Sequence, residues 1–485
     1  MLSTNPQLRM SEYSSLYDII IPKDHKLRKA HDLVDFSFIY DELKSKYCHD
    51  NGRMAKDPVR LFKYLFLKAV YDLSDVGVVE RSRTDMSFKL FLDMTPEEEV
   101  IDPSTLTKFR KLRLNDGDLL NMLLSKSVAI AVKYGIIKTS TIIVDSTHTR
   151  SRSNPSAPLE MLRRRIKELL RAMNQIDKEA AKALPKKNTD DDLVHEMDYT
   201  QQVIDQVAAN EGILNIPIVK EKLDMLRETL DDIADHYTTS LKDRDARVGY
   251  KSPDAPFYGY KTHEAMTPEG IITAATVTSG EVADGPMLQQ LVEQSRQNGV
   301  GVNTVIGDTA YSGDKNLKLA ADEEDGFALV ARVNPMLQGG NMEKEDGFIY
   351  NKDANTCVCP AGHMAKTKRL VTYRPGKGNQ RVIFGFDRAK CSVCAHRGEC
   401  LKGRSNMKTY SVSLRTPEQE AQMAFQETDM FKAQARMRYK IEQRFSHLKN
   451  LYGYDRANSY GLSGMQMQAA VTIFSANIMK IIRLI

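Results

Sequence analysis

The spacing of apolar positions changes along the chain, and each change predicts a different kind of element. From about residue 24 to residue 135 the spacing is helical with short breaks. Asp57-Pro58 is an N-cap followed by Pro at the first helical position, and residues 59–71 behind it are apolar nearly all round. That combination predicts a buried helix. Ser74, and Thr84 or Asp85, are caps for two further short helices. Asp102-Pro103-Ser104-Thr105 opens another, carrying Lys108, Arg110, Lys111 and Arg113. Short helices with a basic last member fit a helix-turn-helix type of DNA reader, with Lys108 and Arg110 toward DNA, or a plain bundle with a solvated basic face. Residues 116–134 continue as helix to a stop at Gly135.

The period then changes. Thr141-Ile142-Ile143-Val144 is β-branched and apolar at successive positions, as in a strand covered on both faces, and it runs into Asp145. Residues 158–242 return to charged amphipathic helices (159–184, 190–210 and 219–241) that look like an insertion. Strands resume at 257–265 and 270–279, followed by a helix at 284–298. A short apolar strand, 302–308, ends in Asp308, and a helix to about residue 322 and a strand at 327–332 complete the run. A meander feeding a parallel crossover predicts an α/β fold with a mixed sheet, Asp145 and Asp308 at one edge of it. Residues 418–452 contain no Gly or Pro and read as helix. Met437, Ile441, Phe445 and Leu448 form its apolar stripe, and Arg438, Glu442 and Lys449 line one edge at i, i+4 and i+11. Alone, that edge is an ordinary solvated i,i+4 ion pair.

Composition adds little until it is divided. The 485 residues are 41% hydrophobic and 27% charged, with a formal charge of +5. Residues 360–416 hold thirteen Lys/Arg against two Asp/Glu, whereas 177–245 hold nine against seventeen. A basic block and an acidic block imply surfaces with separate tasks. Five of the six cysteines fall between Cys357 and Cys400, and the N-terminus lacks the apolar core of a signal peptide. No uncharged run reaches membrane-spanning length, so the expectation is a soluble, cytoplasmic protein. Local cysteine clustering in that setting fits a metal site better than disulfides. Cys359, Cys391, Cys394 and Cys400 are the best four Zn²⁺ ligands, with Cys357, His363 or His396 as substitutes. Gly339-Gly340 and Pro375-Gly376-Lys377-Gly378 mark turns in the same region.

Asp145, Asp308 and Glu442 come from different elements, which is how two-metal phosphoryl chemistry gathers its carboxylates. Hard oxygen ligands favour Mg²⁺ (or Mn²⁺), and Arg438 and Lys449 beside Glu442 suit DNA phosphates. Here the chain resembles the DDE transposases of bacterial insertion sequences over nearly its whole length. Their signature Tyr-x2-Arg-x3-Glu-x6-Lys is matched by Arg438, Glu442 and Lys449, with Ala435 at the Tyr position. Asp308 and Tyr311 match Asp-x2-Tyr, and residues 144–150 (VDSTHTR) look like the first catalytic strand. Residues 243–251 (DRDARVGYK) with Gly259-Tyr260-Lys261-x-His263 are similar to the next one. Asp57-Pro58, Ser74 and residues 104–110 (STLTKFR) resemble the family's helical domain, and a Cys-rich insertion before the Glu helix is similar to one branch.

The resemblance implies a ribonuclease-H-like mixed-sheet catalytic core, an all-α N-terminal domain and a small Cys-rich β insertion. The corresponding division is 1–135 helical and DNA-binding, 136–154 and 243–333 catalytic core, and 155–242 helical insertion. Residues 334–416 are then the basic Cys-rich insertion, and 417–485 complete the core. It further implies catalysis by Asp145, Asp308 and Glu442 with Mg²⁺, and DNA contact by Tyr311, Arg438 and Lys449. The DNA would be the element's terminal inverted repeats and a target, held by a homodimer or larger assembly, in a nucleoid-associated protein. The alternatives are a nuclease of the same fold without strand transfer, and a catalytically silent DNA-binding descendant.

Overall fold

Strand β1, Thr141–Arg150, lies at the centre of the main sheet, and its two edges are paired to different lengths. The computed structural model describes residues 11–48, 54–114, 118–153, 157–187, 192–234, 243–251, 254–333, 347–351, 354, 356–371, 381–401, 405–413 and 416–485. The turns read at Gly339-Gly340 and Pro375–Gly378 lie outside them, as do the helix ends read at Asp116, Asp190 and 235–241.

Along one edge, β3 (Pro256–Met266) runs antiparallel to β1 from Ile143↔Met266 to Arg150↔Gly259. Along the other, β5 (Thr304–Ile306) runs parallel but pairs only from Thr141↔Thr304 to Ile143↔Ile306. β6 (Ala328–Val330) extends the parallel half beyond β5. The far edge of β3 is shared by β4 (Ile272–Ser279) and β2 (Arg247–Tyr250). A side chain at Gly259 would put its Cβ 2.1 Å from the Thr149 carbonyl oxygen, so β1 and β3 approach closely only because this position is bare.

The apolar run alone carries β1 only to Asp145, whereas β3 pairs with it through Arg150, the extent that the resemblance of residues 144–150 implied. What stops before Asp145, at Ile143, is the parallel pairing, not the strand. The helix Tyr439–Tyr452 packs along the edge that β5 leaves open. The chain behind it then rejoins β1, where Arg150 N–H donates to Asp455 O at 2.9 Å and Ala457 N–H to Arg150 O at 2.8 Å. At the sheet's other end, Gln422 donates from its amide nitrogen to Leu329 O (2.7 Å) and Ala331 O (2.8 Å), closing the edge of β6.

The last helix, Leu462–Leu484, is buried along most of its length and joins the N-terminal helices to the sheet. Phe474 lies edge-on to Phe62 and Phe66 of the helix Pro58–Val70, at 5.9 and 6.2 Å. One continuous apolar cluster consequently runs from Leu27 to Ile482. Asn477 sits inside it. Its amide nitrogen donates to Ile272 O (2.8 Å) and Ser127 Oγ (3.0 Å), while its oxygen accepts from Ile272 N–H (3.0 Å) and Arg444 (3.2 Å).

The two interruptions each have a core of their own. Leu162, Ile166 and Leu169 of the helix Pro158–Ile176 pack with Val203 and Val207 of the helix Leu193–Ala208 and with Leu223 and Leu226 of the helix Pro217–Ala234. In the Cys-rich region an antiparallel sheet of β9 (Thr367–Val371), β10 (Arg381–Gly385) and β11 (Thr409–Ser413) stands beside a hairpin of β7 (Ile349–Asn351) and β8 (Thr356–Val358). Phe348, Cys357, Val382, Phe384, Phe386 and Val412 form its small core. Among the described residues no helix is long and apolar enough to cross a membrane.

Candidate functional site

The register brings two carboxylates to one place. Ile143 and Ile306 are parallel partners, and two residues further along each chain stand Asp145 and Asp308. Asp145 is held with a side chain only 16% exposed and accepts from Ser146 N–H at 2.8 Å. Burial pushes its carboxyl up to about 6, against the lowering hydrogen bond from Ser146, and the Asp308 charge adds to the rise. Asp308 caps a single 3₁₀ turn, accepting from Ala310 N–H at 2.9 Å.

The floor of that turn depends on Gly307. A Cβ there would lie 2.8 Å from the Tyr311 ring and 3.1 Å from a Val144 methyl group. Gly307→Ala is therefore expected to shift the Asp308 turn and cost about 1–3 kcal/mol through overpacking. Denaturant unfolding checks this, and an unchanged midpoint would show that Tyr311 can move aside. Tyr311 itself corrects an expectation. It is fully buried beneath Asp308, so it supports the acidic turn from inside and presents no surface to DNA.

Glu442 arrives on the helix Tyr439–Tyr452, which ends at Gly453 in the left-handed region (φ 62°). The helix read from 418 to 452 is in fact interrupted. Thr428 caps a new helix at Asp429–Ala435, accepting from Phe431 N–H at 3.2 Å. A 3₁₀ turn at Arg436–Arg438 then precedes the Glu442 helix. The last residue of that turn, Arg438, reaches Asp145 Oδ2 at 3.1 Å and Glu442 Oε1 at 2.5 Å. One guanidinium thus links the first acid to the third. Beside it a groove of about 530 Å³ is lined by Asp308, Arg332, Lys432, Ala435, Arg436 and Arg438 among others.

Two neighbours were not singled out from sequence. Glu264 is the direct β3 partner of Asp145, and both of its carboxylate oxygens are buried without a hydrogen-bond partner. Burial pushes it up to about 8, against the pull of Arg444. Asp284 accepts from Lys261 Nζ at 2.9 Å and lies 3.3 Å from His263 Nδ1. Burial would raise its carboxyl, but the bonds from His263 and Lys261 outweigh it and hold the group down at about 2. Register could have flagged Glu264, but nothing in its local sequence does.

The donor set fits a hard divalent cation. Asp145 is desolvated and repelled by Asp308, and a guanidinium already occupies the space between Asp145 and Glu442 as the shared positive charge. Among the described residues, however, no three His, Cys, Asp or Glu side chains stand close enough together to hold a metal ion. The same holds for the cysteines, although Cys359, Cys391, Cys394 and Cys400 line one small cavity of about 30 Å³, with His363 and His396 at its wall.

The basic N-terminal helix, Ser104–Arg113, spends its arginines internally. Arg110 forks onto Asp75, and burial, which would raise that carboxyl, is outweighed by Arg110 and Lys68, leaving it at about 2. Arg113 stacks over Tyr47 at 4.3 Å. Arg110 is therefore a structural fork rather than a free DNA contact, while Lys108 and Lys111 are exposed.

Residues 15–112 match the family described as transposase domain (DUF772), and residues 358–482 match the transposase DDE domain. The second match includes Glu442 and the cysteines from Cys359 to Cys400, while Asp145 and Asp308 lie outside both. No curated protein and no solved structure matches the chain. Both matches are to transposase domains, the second to a DDE domain, and together they support a DDE transposase with a mixed α/β architecture.

Proposed function

We propose that the chain binds the terminal inverted repeats of its insertion sequence, cleaves DNA at the element ends and joins the freed 3′-hydroxyls to target DNA. The observation that carries this is the parallel pair Ile143↔Ile306, two residues before Asp145 and Asp308, with Arg438 tying Glu442 to the first of them. The order of β3, β1, β5 and β6, antiparallel then parallel, supports reading the core as ribonuclease-H-like.

In this reading Asp145, Asp308 and Glu442 hold Mg²⁺ or Mn²⁺, which supplies Lewis-acid activation of the attacking oxygen and stabilisation of the leaving one. Arg438, which bridges Asp145 and Glu442, would be free to hold a backbone phosphate if cations were bound by those carboxylates. Arg332 and Arg436 along the groove steer the strand toward Asp308. Lys449 holds a phosphate on the other side, and Lys108 contacts the repeat. The assembly is a homodimer or larger, because two ends must meet, and it works in the cytoplasm at the nucleoid. The test is incubation with Mg²⁺ and the DNA flanking its own reading frame. End-specific nicks and joined products are expected, nicks without joining would reduce the chain to a nuclease, and binding without nicks to a silent descendant.

Cys359, Cys391, Cys394 and Cys400 are proposed to hold a structural Zn²⁺, because the core of their region is too small to stabilise itself. Freshly purified, reduced protein is expected to contain about one zinc per chain. Metal analysis finding none would exclude the site.

A further inference from the structure

We propose that His148, Arg150, Lys251 and Lys449 form a seat for one backbone phosphate of the DNA, next to the carboxylates and distinct from them. The proposal rests on the reading that Asp145 acts on DNA.

β1 continues past Asp145, and His148 and Arg150 lie on one face of it, opposite Lys261 and Gly259 of β3. Phe257 is on that face too, its ring 4.8 Å from the His148 ring. β2 brings Gly249 opposite Phe257, and Lys251 follows two residues later, its N–H bonded to Ala255 O at 3.0 Å. From the Glu442 helix, Lys449 places its ammonium 3.4 and 3.5 Å from the two ring nitrogens of His148. Near-equal distances to both nitrogens do not describe a directed bond to either lone pair. The two groups are simply crowded together.

What crowds them is not an ion pair. Among the described residues no carboxylate comes within salt-bridge distance of Lys449, Arg150 or Lys251, whereas Lys261 has Asp284 at 2.9 Å. Burial, then Lys449, Lys251 and Arg150, hold His148 down at about 3. Burial and then Lys251 likewise lower Lys449 to about 8. An ordinary basic surface would let such side chains spread into water. Here Lys449 and His148 are half-buried and fixed, so the positive potential is preorganised for an anion.

The anion's class follows from position. Three residues of strand, roughly 10 Å, separate His148 from Asp145 and put the two on opposite faces of β1. The helix Tyr439–Tyr452 links them, because it carries Lys449 against His148 and Glu442 tied through Arg438 to Asp145. A group bound there at the same time as the reacting phosphodiester belongs to the same polymer, and in DNA that group is a phosphate. The neutral imidazole donates one N–H and the three cations supply charge-assisted bonds.

The test compares the unaltered protein with Arg150→Gln/Lys251→Gln, both at exposed positions, and with His148→Ala, using the duplex flanking its reading frame. For the double variant the slope of log K against log salt should fall by about 1, near 0.9 for the one phosphate whose contacts are lost. Single methylphosphonate substitutions should weaken binding of the unaltered protein at one position in particular, and each variant should lose sensitivity there alone. Unchanged melting midpoints establish that the variants are folded. A slope and map identical to those of the unaltered protein would overturn the seat while leaving end cleavage intact. A chain that binds with this map but never cleaves would instead overturn the proposed activity and leave the seat standing. Failure of the unaltered protein to bind DNA would overturn both.

Discussion

Asp145→Asn is expected to abolish end cleavage, by on the order of 10³-fold or more, about 4 kcal/mol of transition-state stabilisation, with folding and end binding intact. The carboxylate is desolvated, faces Asp308 and shares Arg438 with Glu442, so each oxygen already belongs to the charge balance of the site. An amide of the same shape keeps the packing on β1 but removes the negative charge that a divalent cation requires. Because a poorly solvated charge is removed, the unfolding midpoint at pH 7 should not fall. Asp308→Asn and Glu442→Gln should behave alike in activity. Mg²⁺-dependent nicking at the normal rate by any of the three would remove that residue from the site.

The largest stability effect is expected at Asn477. Its carboxamide offers the same donor and acceptor as a peptide unit, and it uses both on Ile272, as a neighbouring strand would. It also accepts from buried Arg444. Asn477→Leu preserves volume but leaves the Ile272 N–H, the Ile272 carbonyl and a guanidinium without these bonds. A loss of about 3–5 kcal/mol follows, read as the shift in free energy from denaturant unfolding. A loss below about 1 kcal/mol would mean that Ile272 and Arg444 find other partners by small movements.

These two residues mark how far the sequence could be read. Asp145 stood out because an uninterrupted β-branched run led into it, Asp308 because a shorter apolar strand ends in it, and Glu442 because it shares a helix edge with Arg438 and Lys449. Asn477 is one polar residue in a long apolar helix, and two of its three partners, Ile272 and Ser127, lie 205 and 350 positions away. No local pattern reports such a pairing. The far half of β1 is legible only through the family resemblance of residues 144–150, for a similar reason. Residues 146–150 alternate polar side chains, and only β3 and the returning segment at Asp455–Ala457 make them a strand. Tyr311 and Arg110 were misplaced because a motif gives residue type and spacing but not burial. Each turned out to serve an acid of its own protein, Tyr311 beneath Asp308 and Arg110 on Asp75. The break before Arg438 escaped notice because no Gly or Pro marks it, and a Thr cap is a weak signal within good helix formers.

The late closure of β1 has a consequence for how the protein comes into being. Thr149 hydrogen-bonds to the Tyr454 carbonyl at 3.0 Å across a separation of 305 residues. At roughly 5–20 residues per second of synthesis, that edge waits about 15–60 s for its partner. For most of that interval the nascent polypeptide has Asp145 but no Glu442, so the set of carboxylates proposed to act on DNA is incomplete. Its exposed strand edge meanwhile invites chaperone capture or mispairing. In the proposed reading, translation itself thus withholds the activity until the segment from Glu442 to Ala457 has been made and can close on β1.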